Sequence, residues 1–143
     1  MTGPWVSLRV FLLACAAAIT VACSTTPQRQ ALSLSVTPAT AKAPANGQVQ
    51  FTAAATYSLA PTSVTPAPAT WAVANAASTA LTTDVTINSD GLAQCTSAAS
   101  GTYTVGAWIP QFAKPPQVEC EATTVFDNPC GDSILRTAQL TCP

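Results

Sequence analysis

The sequence predicts an all-β antiparallel sandwich, and three observations lead to it. Short segments alternate apolar and polar residues with a period of two, the pattern of a strand with one buried face. Asn, Gly, Pro and Asp punctuate these segments at the spacing of turns. Beyond the first 23 residues no stretch carries a convincing helical period. About six or seven short strands in roughly 110 residues match the density of an antiparallel sandwich.

Composition sets the outer bounds. The 143 residues include 28 Ala, 22 Thr, 11 Ser and 12 Pro, with five basic side chains, six acidic ones and no His. A coiled coil or ordinary helical bundle needs far more Glu, Lys and Leu. Nucleic acid is not expected as a partner, because a net charge of −1 and a pI of about 4.9 leave no basic footprint for phosphates. Disorder is opposed by a hydrophobic content of 48%, since chains that stay unfolded lack apolar residues to bury. One compact domain fits this length.

In chain order, the first element is an address rather than a strand. Residues 1–9 form a short leader with one basic side chain, Arg9, and residues 10–22 (VFLLACAAAITVA) run apolar for 13 residues. A spanning helix needs ~20 residues to cross ~30 Å of hydrocarbon, whereas a run of this length suits the apolar region of a secretory signal peptide. Residues 1–22 are therefore read as signal peptide, 23–31 as a modified Cys and polar tether, and 32–143 as the folded domain. The seven residues 24–30 reach at most ~25 Å when extended.

The strands follow. Leu32-Ser33-Leu34-Ser35-Val36 alternates and ends at Pro38; Gln48-Val49-Gln50-Phe51-Thr52-Ala53 alternates after the turn signal Asn46-Gly47. Thr70-Trp71-Ala72-Val73 follows a loop carrying Pro61, Pro66 and Pro68. Val85-Thr86-Ile87 leads through the turn Asn88-Ser89-Asp90-Gly91 into Leu92-Ala93-Gln94-Cys95. Residues 102–109 are the clearest strand, and 134–142 close the chain. Ala53-Ala54-Ala55 suits a helix by propensity, but the flanking Thr, Val and Pro oppose one. The expected core is Leu34, Val36, Val49, Phe51, Trp71, Val73, Val85, Ile87, Leu92, Tyr103, Val105 and Leu140.

Two resemblances add to this reading. Val21-Ala22-Cys23-Ser24 resembles the lipobox of bacterial lipoproteins, in which small residues precede a Cys that is acylated and becomes the new N-terminus. Thr20 stands where that pattern prefers Leu, and Leu12-Leu13-Ala14-Cys15 fits the box locally but leaves too little apolar run after Arg9; Cys23 is the expected lipidation site. Two or three acyl chains, at ~0.8 kcal/mol per buried CH₂, hold a domain of this size on a membrane. There is no twin-Arg pair, which points to the general secretory route. Ser24 resembles an outer-membrane sorting signal, placing the protein in the cell envelope, on the surface or periplasmic face of the outer membrane.

The second resemblance lies in the domain. Leu34-Ser35-Val36-Thr37-Pro38, Gly47 with Val49-Gln50-Phe51-Thr52-Ala53, Thr70-Trp71-Ala72-Val73-Ala74-Asn75, Asn88-Ser89-Asp90-Gly91-Leu92-Ala93 and Gly101-Thr102-Tyr103-Thr104-Val105 stand in order. This series is similar to the group 2 bacterial immunoglobulin-like domain, the repeat of intimins, invasins and many surface proteins, over about residues 32–109. The resemblance implies an Ig-like Greek-key sandwich used as a spacer, adhesin or carbohydrate-associated module, with no catalytic residues to carry over. Such domains are usually tandem and lack disulfides, whereas this one stands alone with four cysteines beyond Cys23 and a long segment, 110–133, before its last strand.

Those cysteines have a geometric reading. If 102–109 and 134–142 pair antiparallel, the end of the last strand lies beside the start of the earlier one, within reach of Cys95. Of three possible connectivities this favours Cys95–Cys142, leaving Cys120–Cys130 to close the long loop. Gaps of 25, 10 and 12 between successive cysteines do not suit a zinc site, and no metal or other cofactor is expected.

Chemistry is otherwise sparse. Without His, no Ser–His or Cys–His nucleophile pair forms, and the chain is expected not to be an enzyme. Glu119 and Glu121 would share a face in an extended segment, as paired acids require, and Asp84 with Asp90 makes a second carboxylate pair; solvated surface acids explain all four. Asp127-Asn128-Pro129-Cys130-Gly131-Asp132 offers oxygen ligands for Ca²⁺, but Asx-turn chemistry accounts for the same residues. Trp71 and Tyr103 are expected in the core. Trp108, Phe112 and Phe126, in or near the long loop, are the candidate binding residues: exposed, they form an aromatic platform for a glycan or surface protein; folded back, as favoured, they cover one end of the sheet. Two functions follow, a lipid-anchored adhesion or binding module and a structural subunit or spacer of a larger surface assembly with no free ligand.

Overall fold

The computed structural model describes residues 26–112, 125–126 and 132–143. These form ten strands: β1 (Ala31–Thr37), β2 (Thr40–Lys42), β3 (Gln48–Gln50), β4 (Thr52–Tyr57), β5 (Ser63–Val64), β6 (Thr70–Asn75), β7 (Val85–Ile87), β8 (Leu92–Cys95), β9 (Gly101–Pro110) and β10 (Ser133–Cys142). No helix occurs among the described residues. The expected all-β sandwich is what the chain forms.

One layer is the sheet β2-β10-β9-β6. The other consists of β1-β4-β5 and β3-β8-β7, joined because only Phe51 separates β3 from β4. Phe51 leaves the ladder to donate its N–H to the Gly91 carbonyl (2.9 Å), and its ring is fully buried. The chain changes layer repeatedly, from β1 to β2, β2 to β3, β5 to β6, β6 to β7 and β8 to β9, as in a Greek key.

The register follows from alternation. On β9, Tyr103, Val105, Ala107 and Ile109 face the core, and its partner β10 answers with Ala138, Leu140 and Cys142. These two strands are the spine of the molecule, paired without interruption from Ser133↔Pro110 to Cys142↔Gly101. The pairing places Cys142 beside β8 of the facing layer, where a disulfide joins it to Cys95 with the Cα atoms 5.9 Å apart. This is the pair expected from the sequence.

Four features depart from the expectations, each for a physical reason. Leu32 does not share the face of Leu34: a bulge between Ala31, paired with Tyr57, and Ser33, paired with Thr56, turns Leu32 outward to 58% exposure and buries Ala31 instead. Leu92 is only half-buried, because side chains alternate and Cys95 must point inward to meet Cys142; Ala93 takes the core position. The ladder between β10 and β2 is parallel (Gln139↔Thr40), because β2 follows β1 across the Pro38-Ala39 break into the other layer. Finally, the tether expected over 23–31 ends earlier. Gln30 exchanges hydrogen bonds with Ser58 (3.0 Å to Ser58 Oγ, 2.9 Å from the Ser58 N–H), and Arg29 is already docked.

The interior divides into two clusters. One holds Phe51, Val73, Val85, Tyr103, Val105, Leu140 and the disulfide. The other is built from Ala31, Ala53, Ala55, Ala67 and Ala107 around Leu34 and Ile109. Val36 and Trp71 touch both.

Candidate functional site

The face of β9 turned away from the core carries Thr104, Gly106 and Trp108, by alternation with Tyr103, Val105, Ala107 and Ile109. Across the ladders Trp108 lies between Thr70 of β6 and Leu135 of β10, and Gly106 between Ala72 and Thr137. Gly106 is where the aromatic expectation meets the structure. The Phe126 ring occupies the space that a side chain at Gly106 would need, so any Cβ there would overlap it. Phe126 itself holds φ +64°, a left-handed backbone that bulky residues seldom adopt. Glycine at 106 is thus a seat for this ring, and Phe126 and Trp108 share one face of the sheet.

Phe112 is placed differently. It forms an isolated antiparallel bridge with Gln30, while the Ala31 N–H donates to the Gln111 carbonyl (2.7 Å). The continuation of β9 is therefore stitched to the start of β1, at the edge between the layers. All three aromatic side chains are half-buried. The structure brings two of them to one sheet face and the third to the end of that sheet. They are drawn onto the sandwich rather than raised from it as an open platform.

The sequence reasoning missed a groove of about 710 Å³ lined by Gln50, Phe51, Pro66, Pro68, Trp71 and Asp90, among others. It opens beyond the end of the β3–β8 ladder, between the 88–91 turn and the proline-containing segment that leads into β6. Its floor is defined by Trp71, whose ring lies against Gly91, a residue at φ +82°. The Gln50 side-chain amide donates to the carbonyls of Phe51 and Asp90, both at 2.7 Å, locking the turn that forms one wall. That turn, Asn88-Ser89-Asp90-Gly91, is expected from the sequence, and Asn88 Oδ1 shapes it by accepting from the N–H groups of Asp90 (3.0 Å) and Leu92 (2.9 Å). The signals present in the sequence were Trp71 followed by no large core partner and the Pro66/Pro68 spacing, which neither period detects.

The acid pairs do not assemble. Asp84 accepts from the Tyr103 hydroxyl (3.4 Å) at the disulfide end, whereas Asp90 belongs to the turn on the far side of β7. Among the described residues no three His, Cys, Asp or Glu side chains gather to hold a metal, and no buried side-chain polar atom lacks a hydrogen-bond partner. Cys23, the Cys120–Cys130 pair, Glu119, Glu121 and the run 127–131 lie outside the described residues.

Fold and site together define a small all-β sandwich braced by an inter-layer disulfide, with aromatic side chains gathered on one outer sheet face. No protein-family model matches the chain, and no curated protein matches it.

Proposed function

We propose that this chain is a membrane-anchored lipoprotein of the cell envelope whose Ig-like domain serves as a non-enzymatic adhesion or binding module. The observation that carries the reading is the apolar run 10–22 ending in Val21-Ala22-Cys23-Ser24, a signal-peptide core closed by a lipobox-like Cys. Lipid at Cys23 and a short polar tether then hold a disulfide-braced domain at the membrane. The likeness to group 2 bacterial Ig-like domains, carried by five motifs in order, supports a module that works through its surface. The absence of His from the whole chain removes the commonest general base. The candidate contact residues are Trp108, Phe112 and Phe126, with a glycan or surface protein as partner.

A second reading, a structural subunit or spacer of a surface assembly without a free ligand, is favoured by one observation: all three aromatics are half-buried, as residues that complete a sheet would be.

The intact mass of the protein from its native membrane, with and without reduction, tests the anchor. A mature N-terminus at Cys23 bearing two or three acyl chains is expected, with a gain of four hydrogens on reduction if both disulfides exist. An unlipidated mass overturns the anchored reading and leaves a freely diffusing domain.

A further inference from the structure

We propose that the anchored domain stands on the membrane by the end where its chain begins, with Arg29, the 58–62 turn and Phe112 facing the lipid headgroups and the Cys95–Cys142 end pointing away. The inference rests on lipidation at Cys23 and adds the orientation and the partner of one surface, the bilayer itself.

The first support is a clasp that lies close behind Cys23 in the chain. The Arg29 guanidinium lies 3.5 Å over the Tyr57 ring, its Nε donates to the Leu59 carbonyl (3.2 Å) and its Nη2 to the Pro61 carbonyl (2.6 Å). Gln30 is then bonded to Ser58 and bridged to Phe112. Only residues 24–28 remain between Cys23 and this docked point, and five residues span at most ~18 Å.

The second support is the direction of the strands. β9 runs from Gly101, paired with Cys142 at the disulfide end, to Pro110, paired with Ser133 at the end where the chain begins. Its ten residues cover ~34 Å, about twice the reach of the linker. The docked end therefore always lies within ~18 Å of the anchor, whereas the disulfide end approaches the bilayer only if the sandwich lies flat or tips over. Among the described residues, two of the three exposed large apolar side chains, Leu32 at 58% and Leu59 at 37% exposure, belong to the docked end and suit an interfacial setting. The third, Leu81, bridges to Ala74 near the far end of β6 and serves as the internal control.

The orientation redirects the search for partners. The 113–131 segment departs after Phe112 and returns at Asp132, whose carbonyl accepts the Gln111 N–H; both attachment points are at the docked end. A partner reaching the protein from farther out meets the disulfide end.

The test uses the full lipidated protein, isotopically labelled and inserted in phosphatidylcholine nanodiscs that carry a nitroxide on the lipid headgroup, with reduced nitroxide as the diamagnetic reference. Amide signals of Ser58, Leu59 and Thr62 are expected to lose most of their intensity, while those of 76–82 and 96–100 keep theirs. Equal losses at both ends, or a larger loss around Leu81, overturn the orientation. An intact mass without acyl chains at Cys23 overturns the anchored reading instead, so the two failures are told apart on the same sample.

Discussion

The two halves of the core bury their surface by different means. Toward the disulfide end, Phe51, Tyr103, Val105 and Leu140 fill the space between layers, and a covalent bond crosses it. Toward the end where β1 begins, five alanines do most of the covering, with Leu34 and Ile109 the only larger buried members among the described residues. An alanine removes little apolar area from water, and stabilisation scales at about 25 cal/mol per Å² removed. The second half must depend more on ladder hydrogen bonds and on the clasp that Arg29 makes with Tyr57, Leu59 and Pro61. The lesson is a division of labour: the disulfide half carries the stability, and the other half carries the attachments, namely the start of β1 and both ends of the 113–131 segment. Proteins commonly open first where buried apolar contacts are fewest, so the attachments lie in the half that yields first.

The comparison breaks most directly at its largest side chains. Phe51→Ala removes the centre of the bulky cluster and should cost ~3–5 kcal/mol by urea unfolding. Ile109→Ala, the corresponding deletion in the alanine-rich cluster, should cost ~2–4 kcal/mol, toward the lower part of its class, because its small neighbours already leave less to lose. An Ile109 variant less stable than the Phe51 variant would reverse the assignment of which half holds the fold.

The disulfide sharpens the same contrast. Cys95 and Cys142 are separated by 47 residues and join the two layers, so replacing both with Ala should destabilise the fold by ~2–4 kcal/mol, mainly by freeing the unfolded chain. The double variant is preferable to a reducing agent, which would also act on any bond between Cys120 and Cys130. Native-state hydrogen exchange localises the effect: protection should fall along β8 and the last residues of β10, while the β1–β4 ladder changes only as global stability does. An equal loss of protection at β8, β10, β1 and β4 would show that the two halves are one cooperative unit.

How much of this could be read from the sequence depends on whether the deciding information is local. The Asn88–Gly91 turn was legible because Asn, Asp and Gly act on their own backbone. The Cys95–Cys142 pair was legible because two clear strands, once paired antiparallel, leave one cysteine near another. Leu32 was misplaced because a bulge inserts one residue into the ladder, and nothing in the alternation of Leu32-Ser33-Leu34 announces it. Leu92 and Cys95 could not both face inward at a spacing of three, and only the disulfide decides which does. The parallel β2 ladder and the Trp71 groove arise from segments distant in sequence meeting in space, for which no periodic signal exists. The aromatic face was half legible: Trp108 and Phe126 were singled out, but the role of Gly106 as the seat of the Phe126 ring was not.

The smallest expected effect tests the weaker half on its own ground. Arg29→Ala removes a partly exposed cation–π contact and two hydrogen bonds to carbonyls, so the loss of global stability should be only ~0.5–1 kcal/mol. Its local signature should be larger than that figure suggests. The clasp joins Arg29 to the 58–62 turn, and without it the amides of Ala31 and Leu34 should exchange faster while those of Val105 and Leu140 do not. If exchange at β1 is unchanged, the ladder between β1 and β4 suffices by itself and the N-terminal clasp is incidental. If exchange quickens at both ends alike, Arg29 supports the whole sandwich and the division between the halves fails. Acceleration confined to β1 and its partner strand would mean that the point where the chain enters the sandwich at β1 is also the point at which the fold first comes apart.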